Sequence, residues 1–174
     1  DQLIGLRDRA LIATMIYSFA RISAVVKMKV DDYLQVGKRH SLRLHEKGGK
    51  EHEVPAHHKV VEYLDAYLIV AGISMDSETP LFRSVQGKSK CLTNRPMSRH
   101  DAYRMIRRRA RAVGIKARIG CHTFRATGIT AYLENGGTIE NAQAIAAHES
   151  PRTTKLYDRT NDELTLDEIE RIRI

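Results

Sequence analysis

Cys121 to Gly137 reads CHTFRATGITAYLENGG, and Ile145 to Arg159 reads IAAHESPRTTKLYDR. The two phrases carry His122, Arg125, His148 and Tyr157, and the reading of these four decides the whole chain. His122 and Arg125 lie three apart and share one face of a helix. An arginine offers a planar fork of donors that fits two phosphate oxygens, and a histidine beside it can donate to the same group or move a proton. Taken singly, each residue has a plainer reading. His148 can cap the carbonyls of a helix end, and Tyr157 can be a half-buried packing residue.

Outward from this stretch, helical spacing dominates. Leu3 to Phe19 predicts a core helix with Leu6, Ala10, Ala13 and Tyr17 on one face. A short helix from about Ser23 follows, with Val25, Val26 and Val30 inward and Lys27 and Lys29 outward. Arg21 sits at the junction of the two, where a bend can aim it into a cleft. From Ser41 the period changes to two, with Leu42 and Leu44 alternating with Arg43 and His45. Glu51 to Val54 returns as a second strand, and Gly48 and Gly49 supply the tight turn, bracketed by Lys47 and Lys50.

Val60, Val61, Leu64, Tyr67, Leu68 and Ala71 predict an amphipathic helix closed by Gly72. Ile73 to Pro96 has little periodicity and reads as loop. Ser98 and Asp101 have capping-box spacing and open a helix to Val113. Ala102, Ile106, Ala110 and Val113 form its apolar stripe, and Arg104, Arg107, Arg108 and Arg111 a basic one. Between Arg95 and Arg118 stand nine Lys or Arg and one Asp. A face of one sign without acidic partners along the helix points to phosphate contacts rather than to a solvated surface. A helix from His122 to the Gly136–Gly137 pair, another from Thr138 to Ala147, and a short one after Pro151 carrying Tyr157 complete the pattern. The end differs in character. From Asp158 to Ile174 there are six acids and three bases, with a capping box at Thr165 and Glu168 and an apolar side of Leu166, Ile169 and Ile172. Such a helix, spanning about residues 162–174, suits a groove on protein, either its own or a neighbour's, rather than DNA.

Composition sets the outer bounds. At 174 residues and 42% hydrophobic content the chain has the length and apolar content of one ordinary domain. A formal net charge of +8 makes a polyanion the leading partner class. Cys91 and Cys121 are too few and too far apart for a disulfide framework or a zinc knuckle, which favours a reducing compartment. No run of about 18 apolar residues could span a membrane. The first residue, Asp1, is not Met, so a catalytic piece of something longer is expected. The fold expected is mainly α with one small antiparallel β-hairpin or sheet.

The order Arg21, Lys47, His122-x-x-Arg125, His148, Tyr157 resembles the tyrosine recombinase, or phage integrase, family along essentially the whole chain. The phrases are ARISAVVKMKVDDY, LHEKGGKEHEVPAH, CHTFRATGITAYL and IAAHESPRTTKLYDR. Two positions depart from the family's habit. Gly is common two residues before the first arginine and Glu three after it, where this chain has Phe19 and Ala24.

The resemblance implies the fold of the family's catalytic domain and a single catalytic domain over residues 1–174, without the separate N-terminal domain that grips the duplex. It implies cleavage and rejoining of double-stranded DNA by a site-specific recombinase, through a covalent 3′-phosphotyrosine. Tyr157 would be the nucleophile, and Arg21 and Arg125 the phosphate clamp. Lys47 would be the acid for the leaving 5′ oxygen, and His122 and His148 proton-handling or donor groups. Lys50, which also flanks the turn, competes for the acid role and otherwise suits backbone phosphate. No metal or other cofactor is implied. The partners implied are DNA and, through the tail, a tetramer of protomers on DNA. The setting is cytoplasmic, at the nucleoid, in a bacterium, phage or mobile element. Two rivals remain open: a type IB topoisomerase, and a DNA-binding module that has lost activity, for which Ala24 is the hint.

Overall fold

The computed structural model describes residues 2–46, 49–87, 89–148 and 151–158. In chain order it has α1 (Gln2–Tyr17), α2 (Ile22–Val25), a 3₁₀ turn (Val30–Asp32), β1 (Tyr33–Val36), β2 (Arg39–His45), β3 (Glu51–Pro55) and α3 (His58–Ala71). There follow β4 (Arg83–Val85), β5 (Leu92–Pro96), α4 (Arg99–Ala112), α5 (Cys121–Glu134), α6 (Ile139–Ile145) and α7 (Pro151–Lys155). The helix-rich reading with a small antiparallel sheet holds.

The first helix differs from its expected single-faced form. Ile4, Arg7, Asp8, Leu11, Thr14 and Met15 are buried along with Ala10 and Ala13, whereas Tyr17 lies at the surface. The physical reason is position: α3 and α5 both pack on α1, so it is enclosed rather than laid across a surface. Its buried charges are paired. Arg7 donates to Asp8 and to the Arg83 carbonyl at 2.7 Å each, and Arg109 of α4 reaches Asp8 Oδ2 at 2.8 Å.

β1, β2 and β3 form one antiparallel sheet in that order, with Leu42 opposite Val54 and Leu44 opposite His52. Leu42, Leu44 and Val54 face the core as the alternation requires. The turn beyond them is closed by Glu46 N donating to the Lys50 carbonyl at 2.8 Å, and Gly49 takes the left-handed φ of 78°. The third strand, β1, is added by the 3₁₀ turn ahead of it, where Val30 and Asp31 are tied to the Thr79 and Ser77 carbonyls.

Ile73 to Pro96 is not simply loop. β4 and β5 pair antiparallel, and Leu81 and Phe82 ahead of them are fully buried. Their order comes from distant partners: Leu81 N donates to the Met28 carbonyl and Met97 N to that of Phe82, at 2.8 Å each. A three-residue strand has too little alternation for these ties to show locally.

Several helix bounds and faces also differ from the expected ones. The helix expected from Ser23 is one turn, because Val30 belongs to the 3₁₀ turn. In α4 the buried residues are Ala102, Met105, Ile106 and Ala110, while Val113 caps the helix at the surface. α6 stops at Ile145, since Ala147 turns to φ 48°, and Tyr157 lies in the turn after α7 rather than on it. The Ser98 cap is as expected, accepting from Asp101 N at 3.0 Å. The tail helix expected over 162–174 lies outside the described residues.

Two cores result. The larger joins α1, α2, β2, β3, α3, Leu81 and Phe82 to α4. A smaller one gathers Phe19, Ile129, Leu133, Ala142 and Ala146, with Tyr157 packed on its edge. Arg21, Arg125 and His148 lie near the seam between the two.

Candidate active site

Most of the side chains of interest are carried by the ends of elements. Arg21 is the N-cap of α2, in extended conformation at φ −71° and ψ 143°, so its side chain leaves the helix axis sideways. His122 stands in the first turn of α5, with Arg125 one turn further in and buried. His148 follows α6, and Tyr157 follows α7.

Arg125 holds the parts together. Its Nη2 donates to the Ala146 carbonyl at 2.7 Å, and its Nη1 donates to the Phe19 carbonyl. These carbonyls lie two residues before His148 and two before Arg21. Phe19 sits at φ 53° and Ala147 at φ 48°. For non-glycine residues that region costs roughly 1–2 kcal/mol. The family's frequent glycine at the Phe19 position thus has a backbone reason, and this chain keeps the conformation with a ring buried edge-on to Tyr132.

The tyrosine hydroxyl is 3.0 Å from His122 Nε2. The His148 ring lies nearly parallel to the Tyr157 ring, 6.2 Å between centroids, and its Nδ1 meets the buried Thr154 hydroxyl at 2.9 Å. Burial, then the charges of Arg125, Arg21 and His122, pushes His148 down to about 4, so its imidazole is neutral at pH 7. In the tautomer whose Nδ1 accepts from the Thr154 hydroxyl, the ring proton sits on Nε2, where it can donate to an anion. Arg125 is pushed down to about 10, first by burial and then by Arg21, and stays cationic at neutral pH.

A cleft of about 220 Å³ lies over this group, lined by Arg21, Ser23, Arg99, Cys121, His122 and Arg125. A second, of about 370 Å³, lies on the hairpin side and is lined by Glu46, Lys50, His52, Glu140, Gln143 and His148 among others. Five of the six residues singled out in the sequence therefore converge. The sixth, Lys47, lies outside the described residues, and its competitor Lys50 is exposed on the wall of the second cleft.

The basic stripe of α4 is less uniform than its sequence suggests. Arg104 donates to Asp101 at 2.6 Å, and Arg108 reaches Asp8 of α1 at 3.4 Å, so both have acidic partners. The first was hidden because Asp101 reads as a cap, the second because Asp8 is a hundred residues away. Arg107 and Arg111 have no acidic partner among the described residues.

Sequence reasoning passed over three residues: Thr154, Arg99 and Glu46. A threonine on a five-residue helix gives no sign of burial, and Arg99 merges with the other arginines of its segment. Glu46 did leave a signal, as an acid beside Lys47 in a chain lacking one at position 24. Its Oε2 accepts from Arg21 Nη1 at 2.9 Å. Among the described residues no group of three or more His, Cys, Asp or Glu could hold a metal ion, and no helix is long and apolar enough to cross a membrane.

This helical arrangement, with its small sheets, is the fold of solved tyrosine recombinases. XerA recombinase superposes with a TM-score of 0.71 at 24% identity, over 98% of this chain and 60% of that one. XerH site-specific recombinase bound to palindromic difH substrate gives 0.72 at 17% identity, over 90% and 43%. A lambda integrase dimer bound to a COC′ core site gives 0.68 at 17%, over 92% and 45%.

The sequence profile of the phage integrase family matches residues 1–163, and the chain belongs to that family, whose members are tyrosine recombinases. Tyrosine recombinase XerD of Corynebacterium glutamicum is 30% identical over 156 residues, covering 88% of this chain and 48% of that protein. Tyrosine recombinase XerD of Staphylococcus saprophyticus is 29% identical over 157 residues, covering 88% and 50%. The chain spans about half the length of these relatives.

Proposed function

We propose that the chain is the catalytic domain of a site-specific DNA recombinase that cuts and rejoins double-stranded DNA through a phosphotyrosine, without a metal. The observation that carries the reading is the 3.0 Å contact between the Tyr157 hydroxyl and His122 Nε2, beside the buried guanidinium of Arg125. The Tyr157 oxygen attacks the scissile phosphorus as its proton passes to His122. The bond from phosphorus to the 5′ oxygen breaks, and Lys47 gives that oxygen a proton. Arg21 and Arg125 stabilise the charge on the non-bridging oxygens, and neutral His148 donates to one of them. The two guanidiniums supply the positive charge that a metal ion brings to other phosphoryl transfers. The phosphotyrosine conserves the bond energy, so attack by a 5′ hydroxyl reverses the step.

Lys50, Arg104, Arg107, Arg108 and Arg111 serve the DNA backbone. Arg107 and Arg111 are the stronger contributors, since Arg104 and Arg108 already have acidic partners. Four protomers assemble on DNA, with residues 162–174 of one docking on its neighbour, and the reaction takes place in the cytoplasm. The names of the relatives support recombination over simple relaxation of supercoils.

The test uses protein from the complete reading frame and a pool of nicked duplexes with randomised cores. A protein–DNA adduct that resists SDS is expected, and sequencing its DNA gives the target site. The adduct should vanish in Tyr157→Phe. No adduct from any pool, or one that persists in Tyr157→Phe, would falsify the reading.

A further inference from the structure

We infer that Glu46 is the positioning residue for Arg21: its carboxylate holds the guanidinium at the phosphate cleft in place of an acid on Arg21's own helix turn. The inference deepens the proposed strand-transfer reading and rests on it for the role of Arg21.

Arg21 needs such a partner. Its side chain is 44% exposed, it leaves the end of a four-residue helix, and α2 carries no acid. Ala24, three residues on, is fully buried against the core and can neither bond the guanidinium nor give way to a longer side chain without repacking. Arg21 also faces the like charge of Arg125, which by itself drives the exposed member of the pair outward. A long side chain so placed samples many rotamers, and an unheld clamp arginine is a poor one.

Glu46 supplies what is missing. Its side chain is 6% exposed, and its carboxylate lies 2.9 Å from Arg21 Nη1. The backbone behind it is fixed, because Glu46 N donates to the Lys50 carbonyl at the base of the β2–β3 turn and Leu44 two residues earlier is fully buried. With Nη1 engaged on the hairpin side, Nε and Nη2 are left for an anion. The charge of Glu46 also opposes the effect of Arg21 on Arg125, so one carboxylate steadies both guanidiniums. Glu46 directly precedes Lys47 in the chain, so its ion pair with Arg21 ties the clamp to the segment that bears the proposed acid. A buried carboxylate is costly to maintain for packing alone, and among the described residues the cationic partner of this one is the exposed arginine at the cleft.

The test compares the unaltered protein with Glu46→Gln and Glu46→Asp, each checked for native melting. Two quantities are read: adduct formation at saturating DNA from the selected target site, and binding of inorganic vanadate by calorimetry. For Glu46→Gln, adduct formation and vanadate affinity should each fall about 10-fold or more while DNA affinity stays within about 3-fold, because only aim is lost. Glu46→Asp should recover part of both. The inference is overturned if Glu46→Gln keeps both quantities within about 2-fold of the unaltered protein. It is also overturned if the losses track a fall in melting temperature that Glu46→Asp shares in full. Vanadate binding without any adduct from unaltered protein sinks the strand-transfer reading instead, and the vanadate arm still decides whether Glu46 aims Arg21. Failure to bind vanadate at all sinks the clamp and this inference together.

Discussion

The guanidinium of Arg125 donates to the carbonyl of Ala146 at 2.7 Å, tying the middle of α5 to the end of α6 just ahead of His148. Its other terminal nitrogen is bonded to the Phe19 carbonyl, just ahead of Arg21. One side chain therefore sets the approach of two others. Lysine cannot span both carbonyls, since a single ammonium replaces a planar fork. Arg125→Lys is expected to cost about 2 kcal/mol in urea unfolding, from buried carbonyls left unpaired. Adduct formation should drop by about 100-fold or more, because the phosphate loses its best-held cation.

Ala147 offers the opposite experiment. Its φ of 48° is left-handed, and its methyl group has no proposed role in the reaction. Ala147→Gly relieves roughly 1–2 kcal/mol of backbone strain against about 0.5–1 kcal/mol of added chain entropy. A rise in stability of about 0.5–1 kcal/mol is expected, with adduct formation unchanged. A fall in melting temperature would show that the alanine is not strained there.

Gly128 marks a close approach of α5 to α1. A Cβ on it would run into the Ile16 carbonyl and the Phe19 ring. Backbone cannot step aside as a flexible side chain can, so Gly128→Ala should destabilise by about 3 kcal/mol. Because α5 also carries His122 and Arg125, the surviving folded fraction should cut poorly. Urea melts and adduct yield measured on one preparation check both.

The neutral state of His148 predicts an acid sensitivity. Its folded value of about 4 lies below the ordinary 6.5, so on acidification the unfolded chain takes up the proton first. The stability held by this residue is complete above pH 6.5 and lost as pH falls toward 4. Unfolding free energies between pH 7 and 4 should decline more steeply for the unaltered protein than for His148→Gln. Parallel curves would rule this account out.

What could be read from the sequence was what repeats at short range. His122 and Arg125 share a helical face, Leu42 and Leu44 alternate on a strand, and Ser98 caps where the spacing says it should. The family phrases then supplied the order that joined Arg21, His148 and Tyr157 to them. What escaped were features fixed by partners far along the chain. β4 and β5 depend on Met28 and Phe82 carbonyl neighbours, Arg108 on Asp8, and Arg21 on Glu46, none of which leaves a local period. The burial of α1 escaped for a related reason, since a helix packed by others on several sides shows no single apolar stripe. Thr154 shows the limit most plainly: a small polar residue becomes a fixed support for His148 only because α7 packs against α6 and buries it.

Arg21 and Tyr157 stand 136 residues apart and come to the two sides of Arg125 only through the finished fold. For an enzyme proposed to open DNA strands, that spacing would act as a safeguard during synthesis. A ribosome that stalls, or a protease that clips the chain between these two residues, leaves pieces that hold a nucleophile without its clamp or a clamp without its nucleophile. On the proposed reading, the ability to break DNA arrives only with the contacts that hold the broken end.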